Sequence, residues 1–383
     1  MPQHQISMVL DLNKCLGCQT CTMACKKLWT DGDGMDYMYW NNVETRPGQG
    51  YPRNWDKIGG GFEDGKLRPS ELPSKEDYGQ TFEYNYAERL FQGGMQAMPQ
   101  EEVRNTPNWD EDVGALMLGE NYYFYLPRLC NHCTNPACLE ACPRKAIYKR
   151  AEDGIVLVDQ ERCEGYRYCM KACPYKKIYF NELLGKAQKC IFCYPRIEKG
   201  EVNACAKQCP GRLRFVGFLD DPESAVHKLV HVYKVALGLF PEKGTEPNVF
   251  YVPPFNPPRT GSYGKSVLDD PRMPMDYLKY LFGDEVVDVI RRLEGELQRA
   301  QGGGTSEVLQ LLIGRDEHVR YQIPKHEELI QIGGGHKHET TCRPAALLRG
   351  RSGSECARPV GCRLEIRRSD DVIAATYAAP ISH

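Results

Sequence analysis

Four cysteine motifs constrain the fold of this 383-residue chain more than any other feature of its sequence. The motifs are Cys15, Cys18, Cys21 and Cys25; Cys130, Cys133, Cys138 and Cys142; Cys163, Cys169 and Cys173; and Cys190, Cys193, Cys205 and Cys209. Disulfide frameworks belong mainly to short secreted chains, whereas tight CxxC pairs in a long chain favour metal binding. The spacing therefore predicts a fold that is built around metal sites.

The third motif, CEGYRYCMKACP, differs from the others because Tyr166 stands where a cysteine is expected. In a bacterial ferredoxin, the run CxxCxxCxxxCP binds one cubane cluster with three thiolates and a neighbouring cluster with the fourth. A phenol does not replace a soft thiolate as an iron ligand. The fifteen motif cysteines then match three 4Fe-4S clusters and one 3Fe-4S cluster, although the spacing does not say which motifs pair. Such a set predicts the transfer of single electrons.

Repeated sequence around the motifs predicts an α+β fold that contains two paired ferredoxin-like modules. The endings EACP at Cys142, KACP at Cys173 and KQCP at Cys209 repeat one ligand-and-turn unit. Between the second and third motifs, AIYKR and IVLVD predict two short strands joined by a tight turn. Residues 8–12 and the segment RFVGFLDD are further predicted strands.

Residues 26–129 contain no cysteine and are rich in aromatic residues, Gly and Pro. Such a stretch cannot form a core by itself, so we expect a loop-rich insertion. Its Trp40, Tyr51 and Trp55 have two interpretations: they contact a partner protein, or they cover the clusters.

Residues 221–332 predict a C-terminal region of helices and extended chain that wraps the modules. The helices are expected at 225–237, 277–282 and 285–297, and NVFYVPPFNPP is expected to be extended. His227 and His231 have the spacing of a metal pair, but no third ligand is near them in sequence, so we interpret them as ordinary helix residues.

Residues 333–383 have the composition of a flexible tail. Three further cysteines lie there without CxxC spacing, and we leave them out of the ligand set. The alternative is a metal site formed with two histidines; the residues concerned are Cys342, Cys356, Cys362, His336 and His338.

Charge and hydropathy argue against nucleic-acid binding and against a membrane span. A formal net charge of -2 argues against a nucleic-acid binder, which needs a basic face. No run approaches the roughly 18 apolar residues of a membrane span. Residues 1–30 show no export signal, so a location outside the cytoplasm would require a partner that carries the signal.

The motifs, the tyrosine in the third one, and the segments LNKCLGCQTC, YMYWNNVETRPG, CNHCTNPACLEACP and PNVFYVPP resemble the iron-sulfur beta subunits of type II enzymes of the dimethyl sulfoxide reductase family. That group includes ethylbenzene, steroid C25 and dimethylsulfide dehydrogenases and selenate, chlorate and nitrate reductases. The resemblance covers roughly residues 5–320, and the tail does not share it.

The resemblance implies that the two modules are nested. The ligand sets it implies are Cys15, Cys18, Cys21 and Cys209 (4Fe-4S); Cys25, Cys190, Cys193 and Cys205 (4Fe-4S); Cys130, Cys133, Cys138 and Cys173 (4Fe-4S); and Cys142, Cys163 and Cys169 (3Fe-4S). The domains are then 1–25 with 175–220 (first module), 26–129 (insertion), 130–174 (second module), 221–332 (C-terminal region) and 333–383 (tail). Five lysines close to ligands in sequence would raise cluster potentials if they are also close in space; they are Lys14, Lys26, Lys27, Lys176 and Lys189.

The resemblance also implies that the chain is no enzyme by itself. It implies a heterotrimer with a molybdopterin alpha subunit, which has its own 4Fe-4S cluster, and a haem b gamma subunit. The predicted location is the periplasm, after export in folded form with a signal-bearing partner; the alternative is the cytoplasm. For the whole complex we expect an anaerobic hydrocarbon or steroid hydroxylating dehydrogenase; the alternative is a chlorate, selenate, dimethylsulfide or nitrate oxidoreductase. Two other classes are remote. A cluster-based hydratase is supported only by the one incomplete ligand set, and a redox sensor would need a regulatory domain, which the sequence does not show.

Overall fold

A fully buried strand, Ile6–Asp11, lies at the centre of a five-stranded mixed sheet. The computed structural model describes residues 4–74, 76–78, 122–255 and 266–324. The strands of these residues are β1 (Ile6–Asp11), β2 (Asn42–Arg46), β3 (Phe62–Glu63), β4 (Lys66–Leu67), β5 (Phe124–Arg128), β6 (Ile147–Lys149), β7 (Val156–Val158), β8 (Ile178–Asn181), β9 (Lys186–Lys189), β10 (Arg214–Phe218), β11 (Leu237–Gly238), β12 (Val249–Val252) and β13 (Tyr321–Gln322). The sheet order is β11, β12, β1, β10, β13.

Most of the shorter helices lie within or next to the cysteine motifs, and longer ones lie near the C-terminal end of the described chain. They are α1 (Thr20–Trp29), α2 (Trp55–Ile58), α3 (Ala137–Glu140), α4 (Tyr168–Ala172), α5 (Tyr194–Ile197), α6 (Ala204–Lys207), α7 (Ala225–His227), α8 (Met275–Phe282), α9 (Val286–Gln301), α10 (Glu307–Ile313) and α11 (Glu317–Arg320). Short 3-10 turns span Leu12–Lys14, Glu76–Tyr78 and Pro241–Lys243, and a π-helical turn spans Lys228–Val232. The content is mixed α and β, as the sequence predicts.

Strand pairing brings the first and fourth motifs together. β1 pairs antiparallel with β10, with Met8 opposite Val216. β1 delivers the chain to Cys15 through one 3-10 turn, and β10 begins five residues after Cys209. Helices α1 and α6, which carry other cysteines of the same two motifs, also pack against each other. Two motifs that are far apart in sequence are thus neighbours in space.

The second and third motifs form a second neighbouring pair. The predicted strands between them form the antiparallel hairpin β6–β7, with Tyr148 opposite Leu157. A second hairpin, β8–β9, follows the third motif, with Phe180 opposite Ala187. Helices α3 and α4, which belong to the two motifs, pack against each other.

The insertion has more regular structure at its ends than its composition predicts. β2 and β5 form an antiparallel pair with Glu44 opposite Leu126. Trp40, Tyr51 and Trp55 are buried within the chain itself, with 7%, 3% and 0% of their surface exposed. The interpretation that these aromatics cover the interior of the chain is therefore favoured over the one in which they contact a partner. Residues 79–121 of the insertion lie outside the described residues.

The C-terminal region has its long helices close to the predicted positions. In α9, Val286, Val289, Ile290 and Leu293 are buried and form the apolar face that its spacing predicts. The helix predicted over 225–237 is wrong in its second half. The chain widens into a π turn and leaves the helix, because residues beyond it form the edge strand β11, which pairs with β12.

Within the described residues, no helix has both the length and the apolar content that crossing a bilayer requires. The predicted tail lies outside these residues, and with it the three cysteines and two histidines considered there.

Candidate cluster-binding sites

All fifteen motif cysteines are free thiols in the structure, so no disulfide joins them. Most are buried, and burial is the largest cause of the pKa shifts in several of them. Burial raises the pKa of Cys169 to about 12, and it raises the pKa of Cys25 well above the value for a free thiol. Neutral thiols in such positions become anions only when a cation replaces their protons, which is what iron does on binding.

Four cysteines line one cavity beside the central sheet. The cavity has about 310 Å³ of space that protein atoms do not fill, and its thiols are Cys15, Cys18, Cys21 and Cys209. Three of these come from the first motif and one from the fourth. The structure thus brings together the first predicted ligand set.

A second cavity, of about 300 Å³, has the complementary composition. Its thiols are Cys25, Cys190, Cys193 and Cys205. The aromatic side chains of Trp29, Trp40 and Phe192 complete the wall. This cavity combines the last cysteine of the first motif with three of the fourth, which is the second predicted set.

Electrostatic interactions link cysteines that the resemblance assigns to the third and fourth sets. Burial raises the pKa of Cys138, and the charges of Cys173, Cys130 and Cys133 raise it further. For Cys169, after burial, the charges of Cys163 and Cys142 act in the same direction. Cysteines of the second and third motifs are therefore close enough to interact in both combinations that the resemblance implies, although their roles as ligands stay a prediction.

Electrostatic interactions between cysteines of different sets indicate which sets are close to each other. Burial raises the pKa of Cys205, and Cys21 of the first set contributes to the rise. After burial, Cys130 of the third set is the strongest contributor for Cys190 of the second. Cys173 of the third set also raises the pKa of Cys169 in the fourth. Each set is thus within electrostatic reach of the next in this order.

The cavities suit a polynuclear group better than a single ion. Within the described chain, no three side chains of ligand type are close enough to share one metal ion. The thiols instead surround a larger space and have N–H donors aimed at them. Trp29 Nε1 donates to Cys193 Sγ at 3.1 Å, and the amide of Phe192 donates to Cys190 Sγ at 3.4 Å. Such donors stabilise negative charge on cluster-bound sulfur.

Gly17 fits the tight turn inside the first CxxC. Its φ is +66°, and a Cβ atom at this position would lie 2.6 Å from a ring carbon of Tyr125. A side chain is excluded by backbone conformation and by space, so the turn depends on glycine.

Tyr166 lies at the predicted position of the missing thiol. Its side chain is 58% exposed and lies near the ring of Tyr168, with 6.2 Å between the ring centroids. The tyrosine therefore fills no buried space in the chain.

The five lysines chosen from the sequence differ in their surroundings. Lys27 is exposed and pairs with Asp31 at 3.0 Å. Lys26 and Lys14 donate to backbone carbonyls, those of Met35 and Arg212 among them.

Two of the five lysines, Lys176 and Lys189, are buried. The charge of Lys189 opposes the rise that burial imposes on the pKa of Cys190. Burial lowers the pKa of Lys176 to about 8, and Cys173 opposes that shift.

Two buried cations near the cavities were not foreseen. Arg214 lines the first cavity, and its Nη1 lies 3.5 Å from Cys205 Sγ of the second. Lys177 is fully buried, and its charge acts on Cys25. The available signal was a basic residue within a run of apolar strand residues, as in RFVGF and KKIYF.

Buried free thiols around cavities, with N–H donors aimed at sulfur, define an iron-sulfur protein. A family profile described as a 4Fe-4S dicluster domain matches residues 121–219. The chain is 60% identical over 317 residues to dimethylsulfide dehydrogenase subunit beta of Rhodovulum sulfidophilum, covering 82% of this chain and 97% of the relative. It is 56% identical to selenate reductase subunit beta of Thauera selenatis, covering 84% and 100%, and 54% identical to perchlorate reductase subunit beta of Dechloromonas aromatica, covering 82% and 95%.

The chain therefore belongs to the beta subunits of the dimethyl sulfoxide reductase family of molybdoenzymes. These are electron-transfer subunits and not catalytic ones, as the sequence predicts. The relatives favour the alternative assignment of the complex, to dimethylsulfide or oxyanion chemistry, over the hydrocarbon or steroid dehydrogenase that was expected first.

Proposed function

We propose that this beta subunit holds three 4Fe-4S clusters and one 3Fe-4S cluster and carries electrons between a molybdopterin alpha subunit and a haem b gamma subunit. When bound, such clusters supply one-electron oxidation and reduction. The observation that carries the proposal is the four thiol sets, each within electrostatic reach of the next. The three sets with four thiols suit 4Fe-4S clusters, and the set of Cys142, Cys163 and Cys169 suits a 3Fe-4S cluster.

The chain contributes three things to this function. Its thiols fix the positions of the clusters, and its buried N–H groups and cations stabilise charge on them. Its aromatic side chains, Trp29 and Trp40 among them, form apolar parts of the wall of the second cavity. The surroundings thus favour electron transfer over reaction of iron with solvent.

For the whole complex we propose a substrate of the dimethylsulfide or oxyanion class. The names of the relatives support this choice, since they belong to enzymes of dimethylsulfide, selenate and perchlorate. Location in the periplasm stays a prediction, and cell fractionation tests it.

Purification of the complex through an affinity tag on this chain is expected to yield a molybdopterin-containing partner and a haem b protein. The purified assembly should then turn over dimethylsulfide or one of selenate, perchlorate, chlorate and nitrate with a suitable electron donor or acceptor dye. Ethylbenzene serves as the control substrate. Recovery of the chain without any molybdenum protein contradicts the proposal, and turnover of ethylbenzene alone contradicts the substrate class.

Replacing Tyr166 with cysteine is expected to convert the 3Fe-4S cluster into a 4Fe-4S cluster. The new thiol supplies the missing ligand, and the exposed tyrosine contributes little packing. Electron paramagnetic resonance of the oxidised parent should show the three-iron signal, which should disappear in the variant while iron content rises by one atom per chain.

Tyr168→Cys is the matched control, since Tyr168 is also exposed and lies only two residues away. It is expected to keep the three-iron signal because it lies outside the ligand position. If the intact, fully loaded parent lacks this signal, the assignment of the fourth set is wrong.

A further inference from the structure

Three arginine side chains are fully buried in the described chain, and one of them differs from the other two. Arg46 Nη2 pairs with Asp56 at 2.8 Å, and Arg128 Nε pairs with Glu44 at 2.7 Å. Arg214, with 0% of its surface exposed, has no carboxylate within 4.0 Å among the described residues. Because an isolated charge is costly to bury, Arg214 requires a negative partner of another kind.

The groups around Arg214 are sulfurs and one amide. Its Nη1 lies 3.5 Å from Cys205 Sγ and 3.6 Å from Met8 Sδ. Its Nη2 donates to Asn41 Oδ1 at 2.9 Å, while its Nε has no partner. The guanidinium thus lies between two neutral groups and a predicted cluster ligand.

Arg214 also lines the first cavity, so it is located between two thiol sets. Cys15, Cys21 and Cys209 line the first cavity together with Arg214, and Cys205, which Arg214 contacts, lines the second. Its neutralising partners are therefore the thiolates of two neighbouring sites together.

We propose that Arg214 is a positioning residue that raises the reduction potentials of the first and second clusters together. This inference rests on the proposed function, since it requires clusters in both cavities. A reduced cluster has one more negative charge than an oxidised one. A fixed, buried positive charge stabilises the reduced form more, so the potential rises. One side chain thereby shifts the potentials of two adjacent centres in the same direction.

A lysine or arginine that is near a ligand only in sequence does not raise a cluster's reduction potential in this way. Lys27 is two residues from Cys25, but its side chain is 83% exposed and pairs with Asp31. Solvent and the carboxylate screen its charge. Lys27→Met is therefore a control that removes one positive charge close to a ligand in sequence.

The test is a redox titration of the full chain under anaerobic conditions, followed by electron paramagnetic resonance. Arg214→Met should lower the equilibrium constant for reduction of the first and second clusters at least tenfold. For a one-electron step, a tenfold change corresponds to a fall of about 59 mV in the reduction potential. The other two centres should shift less. Arg214→Lys should retain most of the parent potentials, and Lys27→Met should change none of them by as much as threefold.

Iron content and cluster number of the parent are measured first, because their absence contradicts the proposed function and not this inference. With clusters present, unchanged potentials in Arg214→Met overturn the role of Arg214. If Arg214→Met loses iron, Arg214→Gln replaces it in the same comparison. Loss of iron in the Gln and Lys variants as well shows that the residue only maintains packing, and this also overturns the inference.

Discussion

Removing iron from the purified chain is expected to abolish its cooperative unfolding transition. The cysteines line the interior, and two cavities among them have about 310 and 300 Å³ of space without protein atoms. In small metal-rich proteins the free energy of metal binding supplies much of the free energy of folding, because the binding site does not exist in the unfolded chain. Total stabilities of domains are only about 5–15 kcal/mol, so loss of the metal-binding contribution at several sites is enough to unfold the chain.

The measurement is thermal unfolding by circular dichroism, before and after anaerobic treatment with an iron chelator and reductant. The loaded chain should melt cooperatively, and the iron-free chain should show a gradual change without a transition. Reconstitution with iron and sulfide is the control and should restore the transition. An iron-free chain that still melts cooperatively within a few degrees of the loaded one would falsify the view that the clusters hold the fold together.

Replacing Glu44 with alanine is expected to destabilise the loaded chain by about 3–5 kcal/mol, the range for breaking a buried ion pair. The Glu44 side chain is fully buried and its Oε1 accepts from Arg128 Nε at 2.7 Å. Its Oε2 accepts from Trp55 Nε1 at 2.8 Å, and Oε1 also accepts from the amide of Tyr51 at 3.0 Å. Alanine leaves a buried cation and two buried N–H groups without these partners.

The Glu44–Arg128 ion pair also connects the insertion to the third motif. Arg128 Nη1 donates to the carbonyl of Tyr175, two residues after Cys173, at 2.8 Å. Loss of Glu44 should therefore also speed release of iron from the third set. Anaerobic urea unfolding and the rate of iron release measure both effects.

Glu63→Ala is the matched control. Its ion pair with Arg68, at 2.9 Å, is exposed on both sides, so its loss should cost less than about 1 kcal/mol. A double variant, Glu44→Ala with Arg128→Met, should recover part of the loss because it removes the unpaired charge. Equal destabilisation by Glu44→Ala and Glu63→Ala would contradict this account of the buried pair.

The features that the sequence predicted correctly are local ones. The hairpin β6–β7 follows from a spacing of a few residues, which is visible in a single chain. The spacing did not show which motifs share a cavity; the family resemblance implied that grouping. The helix expected over 225–237 failed because its apolar periodicity continues into residues that pair as a strand with β12. Tertiary pairing there overrides the helical pattern.

The burial of Arg214 and Arg128 depends on contacts between residues far apart in sequence, which the spacing of residues does not reveal. Arg214 bonds Asn41 across 173 positions, and Arg128 bonds Glu44 across 84. Each arginine lies in or next to a strand segment that reads as a half-buried surface, where a solvated charge is the ordinary expectation. Only the fold shows that these side chains point inward.

Cys15 and Cys209 line the same cavity although they are far apart in sequence, and this has a consequence for biosynthesis. A ribosome exposes the N-terminal motif long before the partner that completes its site. In the proposed ligand assignment, the first and second sets stay incomplete until translation has passed residue 209, whereas Cys130 and Cys173 emerge close together. A truncated product that stops before Cys190 therefore loses two adjacent sites at once and keeps the thiols of the other two.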